Sequence, residues 1–303
     1  MTVEDQIKNA VLVCPVSKKP LNISATENIL QTTDNSHTYP LYRNIPILLE
    51  DKEQIDTYLL SSPDMLEEYN KIASTAVSKE LTRKLYGLFR TWYKKDLRNR
   101  NCINAFSRIF NSLNENTVAI SIGGGPKRTH KYLTNINIGP FHNVDVVGDA
   151  HKLPYADCSI DIVYCEAVLE HLASPTLAIS EVYRALKDGG KALFVTPFMQ
   201  PYHGYPFHYQ NFTLSGHVNL FKQQGFIIQE SGTCVGPSYA LYHIVFSYIK
   251  EYVPFPLSLL RFLWGLFARV FIRQFDRLLN NKINSHKMAS TTYLIAEKGI
   301  EHY

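Results

Sequence analysis

The chain has 303 residues, of which 45% are hydrophobic and 19% are charged, a balance typical of a folded protein with a sizeable core. Its net charge of +4 is too small to indicate nucleic-acid binding by itself. Its five cysteines form no closely spaced pairs, which argues against a disulfide scaffold and favours a reducing compartment. The first residues are polar, and no uncharged apolar run reaches about 18 residues, so we expect a cytoplasmic protein without a membrane-spanning helix.

The first predicted unit is β-rich and covers residues 1–51. Residues 11–15 are expected to form a strand that runs into a proline turn, and residues 39–49 a hairpin whose prolines lie at its edges. The unit contains C-P, Y-P and I-P dipeptides in this order. In this pattern it resembles the small zinc-ribbon proteins that activate methyltransferases.

This resemblance does not extend to the metal ligands. Ser17 stands where the zinc-ribbon family has its second cysteine. A structural zinc needs about four Cys or His ligands, whereas this unit offers only Cys14 and His37. The resemblance therefore implies a ribbon that has lost its zinc, and an unrelated β-hairpin cap is the alternative interpretation.

A helical linker or lid is predicted over residues 52–114. Apolar residues recur at helical spacing around residues 81–89 and again around 103–110. Residues 92–95, W-Y-K-K, fit either a basic binding face or a solvated helix face with its aromatic rings packed inward.

Strands and helices then alternate, which is the pattern of a doubly wound α/β sheet. Strands are predicted over residues 118–122, 135–138, 144–147, 159–164 and 191–197, and helices over residues 167–172 and 177–186. Asp188-Gly189-Gly190 supplies the glycine stop signal for the second helix. Residues 291–296 read as the closing strand.

Sequence segments in this region carry a family resemblance. I-G-G-G-P, G-D-A-H-K-L-P-Y, D-I-V-Y-C-E-A-V-L-E-H-L and E-V-Y-R-A-L-K-D-G-G-K-A-L-F-V-T-P-F follow one another in order. They resemble the class I S-adenosylmethionine-dependent methyltransferases of the type 11 branch, over residues 118–213. The resemblance implies a Rossmann-like methyltransferase domain over residues 115–303, with S-adenosylmethionine as its cofactor.

The resemblance also assigns roles to residues at the strand ends. Gly123 and Gly125 are expected to let the main chain approach the cofactor, and Asp149 to accept a hydrogen bond from the adenine amino group. Capping of a turn is the alternative role for Asp149, and a solvent-exposed carboxylate the alternative for Glu166. The residues implied to bind the cofactor are Ser121, Gly123, Gly124, Gly125, Asn137, Asp149, Ala150, His151 and Glu166.

The chain departs from the family pattern at two of these positions. Ser121 stands in the place of an acid, and Asn137 aligns with the acid that grips the ribose hydroxyls. An amide can hydrogen-bond two hydroxyls, but without the strength that a charged carboxylate gives. These departures leave open a non-catalytic methyltransferase-like protein that acts as a binding or assembly partner.

The segment after the fifth strand is expected to border the acceptor. Its residues 197–213 resemble the P-F-x-x-x-Y-H-x-x-P-x-D-Y-x-R-F-T pattern of related methyltransferases, with His208 and Asn211 in place of the Asp and Arg. His203 is the candidate general base, because imidazole titrates near neutral pH, and Tyr209 is expected to face the acceptor. A loop with buried aromatic anchors is the alternative, and no metal ligands are predicted.

An apolar insertion is predicted at about residues 235–285. Residues 252–272 are strongly apolar, with Arg261, Arg269 and Arg273 forming a narrow polar stripe on a predicted helix. Such a helix suits a membrane interface with Trp264 and the phenylalanines inserted, and it equally suits packing over the active site or in a dimer contact.

Together these features predict methyl transfer to an oxygen or nitrogen atom of a small molecule, a sugar or a lipid-linked intermediate. Contact with a membrane surface through residues 252–277 is part of this prediction. A methyltransferase of RNA or of a translation protein is the remaining alternative, although the sequence carries no strong nucleic-acid signal.

Overall fold

The computed structural model describes residues 1–24, 28–50, 98–125, 128–203, 207–280 and 282–299. The strands are β1 (Leu21–Ser24), β2 (Ile29–Thr32), β3 (Thr38–Tyr42), β4 (Ile45–Leu48), β5 (Ala119–Ile122), β6 (Leu133–Asn137), β7 (Val146–Gly148), β8 (Ile160–Glu166), β9 (Leu186–Pro197), β10 (Phe226–Val235) and β11 (Thr291–Lys298). The α-helices are α1 (Val3–Lys8), α2 (Arg100–Phe110), α3 (Pro175–Ala185), α4 (Leu214–Lys222), α5 (Pro237–Tyr252), α6 (Leu260–Phe267) and α7 (Asp276–Leu279). The helices predicted around residues 81–95 lie outside the described residues.

The first of two units contains residues 98–123 and the chain from residue 157 onward. Its strands follow the order β5-β8-β9-β11-β10. β5, β8 and β9 are parallel, whereas β11 is antiparallel to both β9 and β10. Because parallel strands end at the same edge of a sheet, the residues after β5, β8 and β9 share one edge.

Sequence periodicity explains why these elements form. All residues of β5 are buried, as expected for a strand covered on both faces. Helix α3 begins with Pro175 in its first turn and buries Ala178, Ile179, Val182 and Ala185, which recur at helical spacing. The predicted strand–helix alternation is confirmed here, and the mixed α/β, Rossmann-like class with it.

One predicted helix is wrong. Residues 167–172 form only a short 3₁₀ turn, Leu169–His171. Ala167 has a φ of 55°, a left-handed conformation that cannot continue a right-handed helix. The chain therefore turns sharply after β8 and presents Glu170 and His171 on a turn.

The second unit contains the described parts of residues 2–97 and 124–156. Its strands follow the order β1-β2-β3-β4-β7-β6. The predicted hairpin is confirmed as β3 and β4, joined by Arg43 and Asn44 at positive φ, the geometry of a tight hairpin turn. The strand predicted over residues 11–15 is not formed. In its place Leu12 and Val13 each make a single isolated bridge, with Tyr155 and Pro20 respectively.

β4 pairs in parallel with β7, which in turn pairs in parallel with β6. Ile47, Leu49, Phe141, Val144 and Val147 form a buried cluster beneath this junction. The ribbon-like segment therefore shares a sheet and a core with β6 and β7. The domain boundaries expected at residues 51 and 114 stay predictions.

The zinc-ribbon resemblance is not confirmed. Cys14 Sγ lies 3.0 Å from the Tyr39 hydroxyl and accepts a hydrogen bond from the Ser17 backbone N–H at 3.3 Å. The thiol is buried, and its contacts in the structure are these hydrogen bonds within the segment.

The apolar insertion consists of several short helices. Helix α5 ends at Tyr252, just before two prolines, Pro254 and Pro256, and α6 begins only at Leu260. Trp264 donates a hydrogen bond from its indole N–H to the Tyr242 carbonyl at 3.1 Å, so it faces α5. None of the helices in the described ranges is both long enough and apolar enough to span a bilayer.

Candidate active site

The glycine loop after β5 packs closely against the turn after β8. Gly123 has a φ of +75°, and a Cβ added there would lie 2.2 Å from Val168 Cγ2. Only glycine meets both conditions, since a side chain would be strained and would collide. Gly123 therefore sets the close approach of these two strand ends, while Ser121 is buried within β5 at 3% exposure.

Glu166 closes β8 at the same edge. Its side chain is exposed, and the Tyr164 hydroxyl donates a hydrogen bond to Oε2. Burial raises the pKa of Tyr164, and the neighbouring Glu166 carboxylate raises it further, so the phenol stays protonated and continues to donate. The prediction that Glu166 binds the cofactor stays a prediction.

A histidine and glutamate cluster lies at this edge. Glu170 is fully buried, and its Oε1 lies 3.7 Å from Nε2 of His171 and 3.7 Å from Nε2 of His203. The Glu170 carboxylate raises the pKa of His203. A histidine with a raised pKa is protonated more of the time near neutral pH, which weakens it as a general base.

Further aromatic residues surround this cluster. His208 accepts a hydrogen bond from the His203 backbone N–H at 3.1 Å, and its ring stacks on Tyr202. Burial lowers the pKa of His243 on α5, and the neighbouring His203 lowers it further. The backbone N–H of Tyr209 donates a hydrogen bond to the Glu170 carbonyl at 2.8 Å. Tyr209 itself is 54% exposed.

In the second unit the glycine loop continues and is held by Asn137. The Asn137 side-chain amide donates to the Gly124 carbonyl at 3.1 Å, and its oxygen accepts from the Ile138 N–H at 2.8 Å. A Cβ at Gly124 would lie 2.6 Å from the Asn135 side chain, and Gly125 has a φ of +124°. Asn137 thus already fixes the loop, in addition to any contact with a ribose.

Asp149 follows β7 and caps the 3₁₀ turn Ala150–Lys152. Its Oδ1 accepts from the backbone N–H of His151 and from His151 Nδ1, both at 2.8 Å. Burial opposes ionisation, but these hydrogen bonds outweigh it and lower the pKa of Asp149, while the same contact raises the pKa of His151. The capping alternative is therefore correct for Oδ1, and Oδ2 is left to accept a hydrogen bond from a ligand.

The turn between the glycine loop and β6 is tied down by Arg128. Its guanidinium donates to both oxygens of Asp145, at 2.7 and 2.8 Å, and also to the carbonyls of Leu133 and Asn143. The described residues between the end of β5 and Leu133, 123–125 and 128–132, form turns and bends and no helix. This arginine was not predicted from the sequence, because nothing in its neighbourhood marks it as a loop anchor.

The first unit thus contains Ser121, Gly123, Glu166, His203 and Tyr209 of the predicted site. Gly124, Gly125, Asn137, Asp149, Ala150 and His151 lie in the second unit. Sequence reasoning assigned no role in the site to Glu170, His171 or His243. The E-H dipeptide at residues 170–171 is the signal in the sequence by which Glu170 and His171 could have been found.

Residues 113–194 match the family model described as "Methyltransferase domain". The malonyl-[acyl-carrier protein] O-methyltransferase of Erwinia billingiae is 31% identical over 74 residues, covering 24% of this chain and 30% of that protein. An uncharacterised 37.1 kDa transposon protein of Streptomyces fradiae is 41% identical over 51 residues, covering 17% of this chain and 15% of that protein.

Among solved structures, phosphoethanolamine N-methyltransferase 2 of Haemonchus contortus in complex with S-adenosyl-L-methionine is 18% identical, with a TM-score of 0.40. The match covers 66% of this chain and 52% of that one. The chain spans between 15% and 30% of the length of the curated relatives it matches. The match to a methyltransferase domain is therefore established over residues 113–194.

Proposed function

We propose that the chain is an S-adenosylmethionine-dependent methyltransferase that methylates an oxygen or nitrogen atom of a small molecule, a sugar or a lipid-linked intermediate. The observation that carries this proposal is the family match over residues 113–194, which includes β5, β6, β7 and β8 with their glycine and carboxylate ends. The Erwinia relative, by its name, methylates an oxygen atom, which is in keeping with an oxygen acceptor.

Each of the two units offers groups of the kind that the cofactor requires. Gly123 and Gly125, both at positive φ, leave main-chain groups uncovered by side chains, and Asp149 Oδ2 can accept from an adenine amino group. Asn137 can donate to a ribose hydroxyl with its second amide hydrogen, and Glu166 presents an exposed carboxylate. When bound, S-adenosylmethionine supplies an electrophilic methyl group on its sulfonium.

Alignment of the acceptor is the main task of the remaining residues. His203 and Tyr209 are the proposed acceptor-facing residues, and both side chains are at least partly exposed. In its neutral form the His203 ring can take a proton from a hydroxyl or ammonium acceptor through Nε2, because Nδ1 is engaged with the Pro201 carbonyl. Its raised pKa moves the pH range in which the neutral form predominates upward.

Calorimetry with S-adenosylmethionine tests the cofactor site. Asp149→Asn should weaken binding about tenfold, because the amide no longer offers a charged acceptor. Glu115→Gln makes the same chemical change at an exposed loop residue and should leave the affinity unchanged. Absence of binding at millimolar cofactor would favour the non-catalytic assembly protein, and equal affinities in both variants would reject the role of Asp149.

A lipidic acceptor or membrane partner is favoured by the insertion. Residues 250–287 contain seven Lys or Arg and two acidic residues, so the rest of the chain contributes none of the net charge of +4. Apolar side chains at least half exposed in this segment include Tyr252, Phe255, Phe262, Leu263, Phe271 and Leu278. A basic surface with exposed aromatic and aliphatic residues suits peripheral contact with an anionic bilayer.

Co-sedimentation with vesicles tests this contact. The protein should pellet with vesicles containing phosphatidylserine and less with neutral vesicles. The double change Phe262→Ser and Leu263→Ser should release it, whereas Leu177→Ser with Ile227→Ser, at similarly exposed positions of the first unit, should not. Equal pelleting of both double variants would reject the proposed surface, and steeply salt-sensitive binding to RNA would favour the RNA alternative.

A further inference from the structure

Glu170 is a buried carboxylate without a hydrogen bond in the described part of the chain. Its side chain has 0% exposure, and neither Oε1 nor Oε2 has a hydrogen-bond partner. A buried carboxylate is costly unless it is paired or bound to a cation. Among the described residues, the recorded ion-pair partners of this carboxylate are two histidines at 3.7 Å, so no positive charge lies at hydrogen-bond or ligation distance.

Two histidine nitrogens converge on this carboxylate. Nε2 of His171 and Nε2 of His203 each lie 3.7 Å from Glu170 Oε1, and the ligand-type atoms of the three residues lie within 4.8 Å of one another. The 3.7 Å separations exceed hydrogen-bond length. Ligands at about 2.0–2.2 Å from a tetrahedral ion lie roughly 3.3–3.6 Å apart. The two carboxylate–nitrogen separations are within a few tenths of an ångström of this range, whereas ligand atoms as far apart as 4.8 Å would approach by about 1 Å on binding.

Each histidine is held by its other ring nitrogen. His171 Nδ1 lies 2.6 Å from the Phe207 carbonyl, and His203 Nδ1 lies 3.0 Å from the Pro201 carbonyl. Because a carbonyl only accepts, Nδ1 carries the proton in both rings, which leaves the lone pair of a neutral ring on Nε2. Metal-ligating histidines show this arrangement, with the non-ligating N–H donated to a carbonyl or carboxylate.

We propose that Glu170, His171 and His203 bind a divalent first-row transition-metal ion through Oε1 and the two Nε2 atoms. Two imidazoles and a carboxylate suit Zn²⁺ or Fe²⁺, whereas Mg²⁺ and Ca²⁺ prefer all-oxygen sites. The His171 and His203 side chains are 23% and 39% exposed, which leaves one side of the site open to water or to an acceptor hydroxyl. This proposal goes beyond methyl transfer and does not depend on cofactor binding.

A bound ion changes the chemistry expected of His203. Coordination uses the Nε2 lone pair, so the same atom cannot then act as a general base. The ion itself lowers the pKa of a bound hydroxyl or water, and so replaces the base in activating an acceptor. Metal ligation and base catalysis are thus exclusive roles for this atom.

Metal titration of the full-length protein tests the site without any cofactor present. The chelator-treated protein is titrated with Co²⁺ by visible absorption and with Zn²⁺ by calorimetry. The variants are His171→Gln and His203→Gln. His286→Gln is the matched control, because His286 Nδ1 also lies against a carbonyl, that of Ile283 at 3.0 Å, but its ring is not part of the cluster.

The wild type and the His286→Gln variant should bind one ion per chain. Loss of either cluster histidine should weaken binding at least about tenfold, the smallest effect typical of disturbed metal sites. Absence of stoichiometric binding by the wild type, or equal affinities in all four proteins, would overturn the proposal. Glu170→Gln should also lose the ion, and if it fails to fold by circular dichroism the two histidine variants decide the matter.

Discussion

Replacing Gly123 by alanine probes the packing of the glycine loop on the turn after β8. A left-handed φ, here +75°, costs a non-glycine residue about 1–2 kcal/mol. The new methyl group would also lie 2.2 Å from Val168 Cγ2, and relief of such overpacking costs about 1–3 kcal/mol more. We therefore expect the free energy of unfolding to fall by roughly 2–5 kcal/mol.

Matched variants separate the two costs. Gly189 has a nearly identical φ of +74° with no atom within 4 Å of an added Cβ, so Gly189→Ala should show only the backbone cost of about 1–2 kcal/mol. In a Val168→Ala background the collision disappears, so the loss in free energy of unfolding caused by Gly123→Ala should fall to the same backbone cost. Urea denaturation measures each free energy, and the double-mutant cycle gives the coupling. An equal loss in both backgrounds would refute the contact.

Other residues give independent predictions of stability. Burial lowers the pKa of His217 from 6.5 to about 3, so the unfolded chain binds the extra proton below pH 6.5 and stability should fall by about 2 kcal/mol between about pH 7.5 and pH 5. Urea denaturation at both pH values should show that His217→Gln removes this loss of about 2 kcal/mol. An unchanged pH dependence of the free energy of unfolding in the variant would contradict the role of His217. Arg128→Lys loses the paired hydrogen bonds to Asp145 and should lower the free energy of unfolding by about 1–3 kcal/mol. The same change at Arg108, whose side chain is 69% exposed, should cost less than about 0.5 kcal/mol, and equal losses would reject the anchoring role of Arg128.

β5, β6, β7 and β8 could be predicted from the sequence to within two residues, whereas β9, predicted over residues 191–197, begins at Leu186. β5 and β8 are short apolar runs that are followed by glycine or end in an acid. Buried parallel strands have such continuous apolar sequences because both of their faces are covered. The glycines of this loop could also be predicted. Gly123 and Gly125 have positive φ values, which glycine adopts without the strain that a side chain would bring.

The missed features depend on contacts between distant residues. His171 and His203 are brought together by the path of the chain after β9, which no local pattern specifies. Ala167 breaks the helix predicted after β8 although alanine favours helices, because tertiary packing overrides local propensity. Insertion of Trp264 into a membrane was one of the alternatives for this helix, and the structure shows its indole N–H donating to a carbonyl on α5, a contact that hydrophobic periodicity does not predict.

Native mass spectrometry of the full-length chain with S-adenosylmethionine tests the central claim most directly. We expect one cofactor molecule per chain, displaced by S-adenosylhomocysteine and retained when metal ions are removed by a chelator. A chain that shows no adduct at millimolar S-adenosylmethionine, while remaining folded by circular dichroism, would contradict the assignment of this domain as a working methyltransferase.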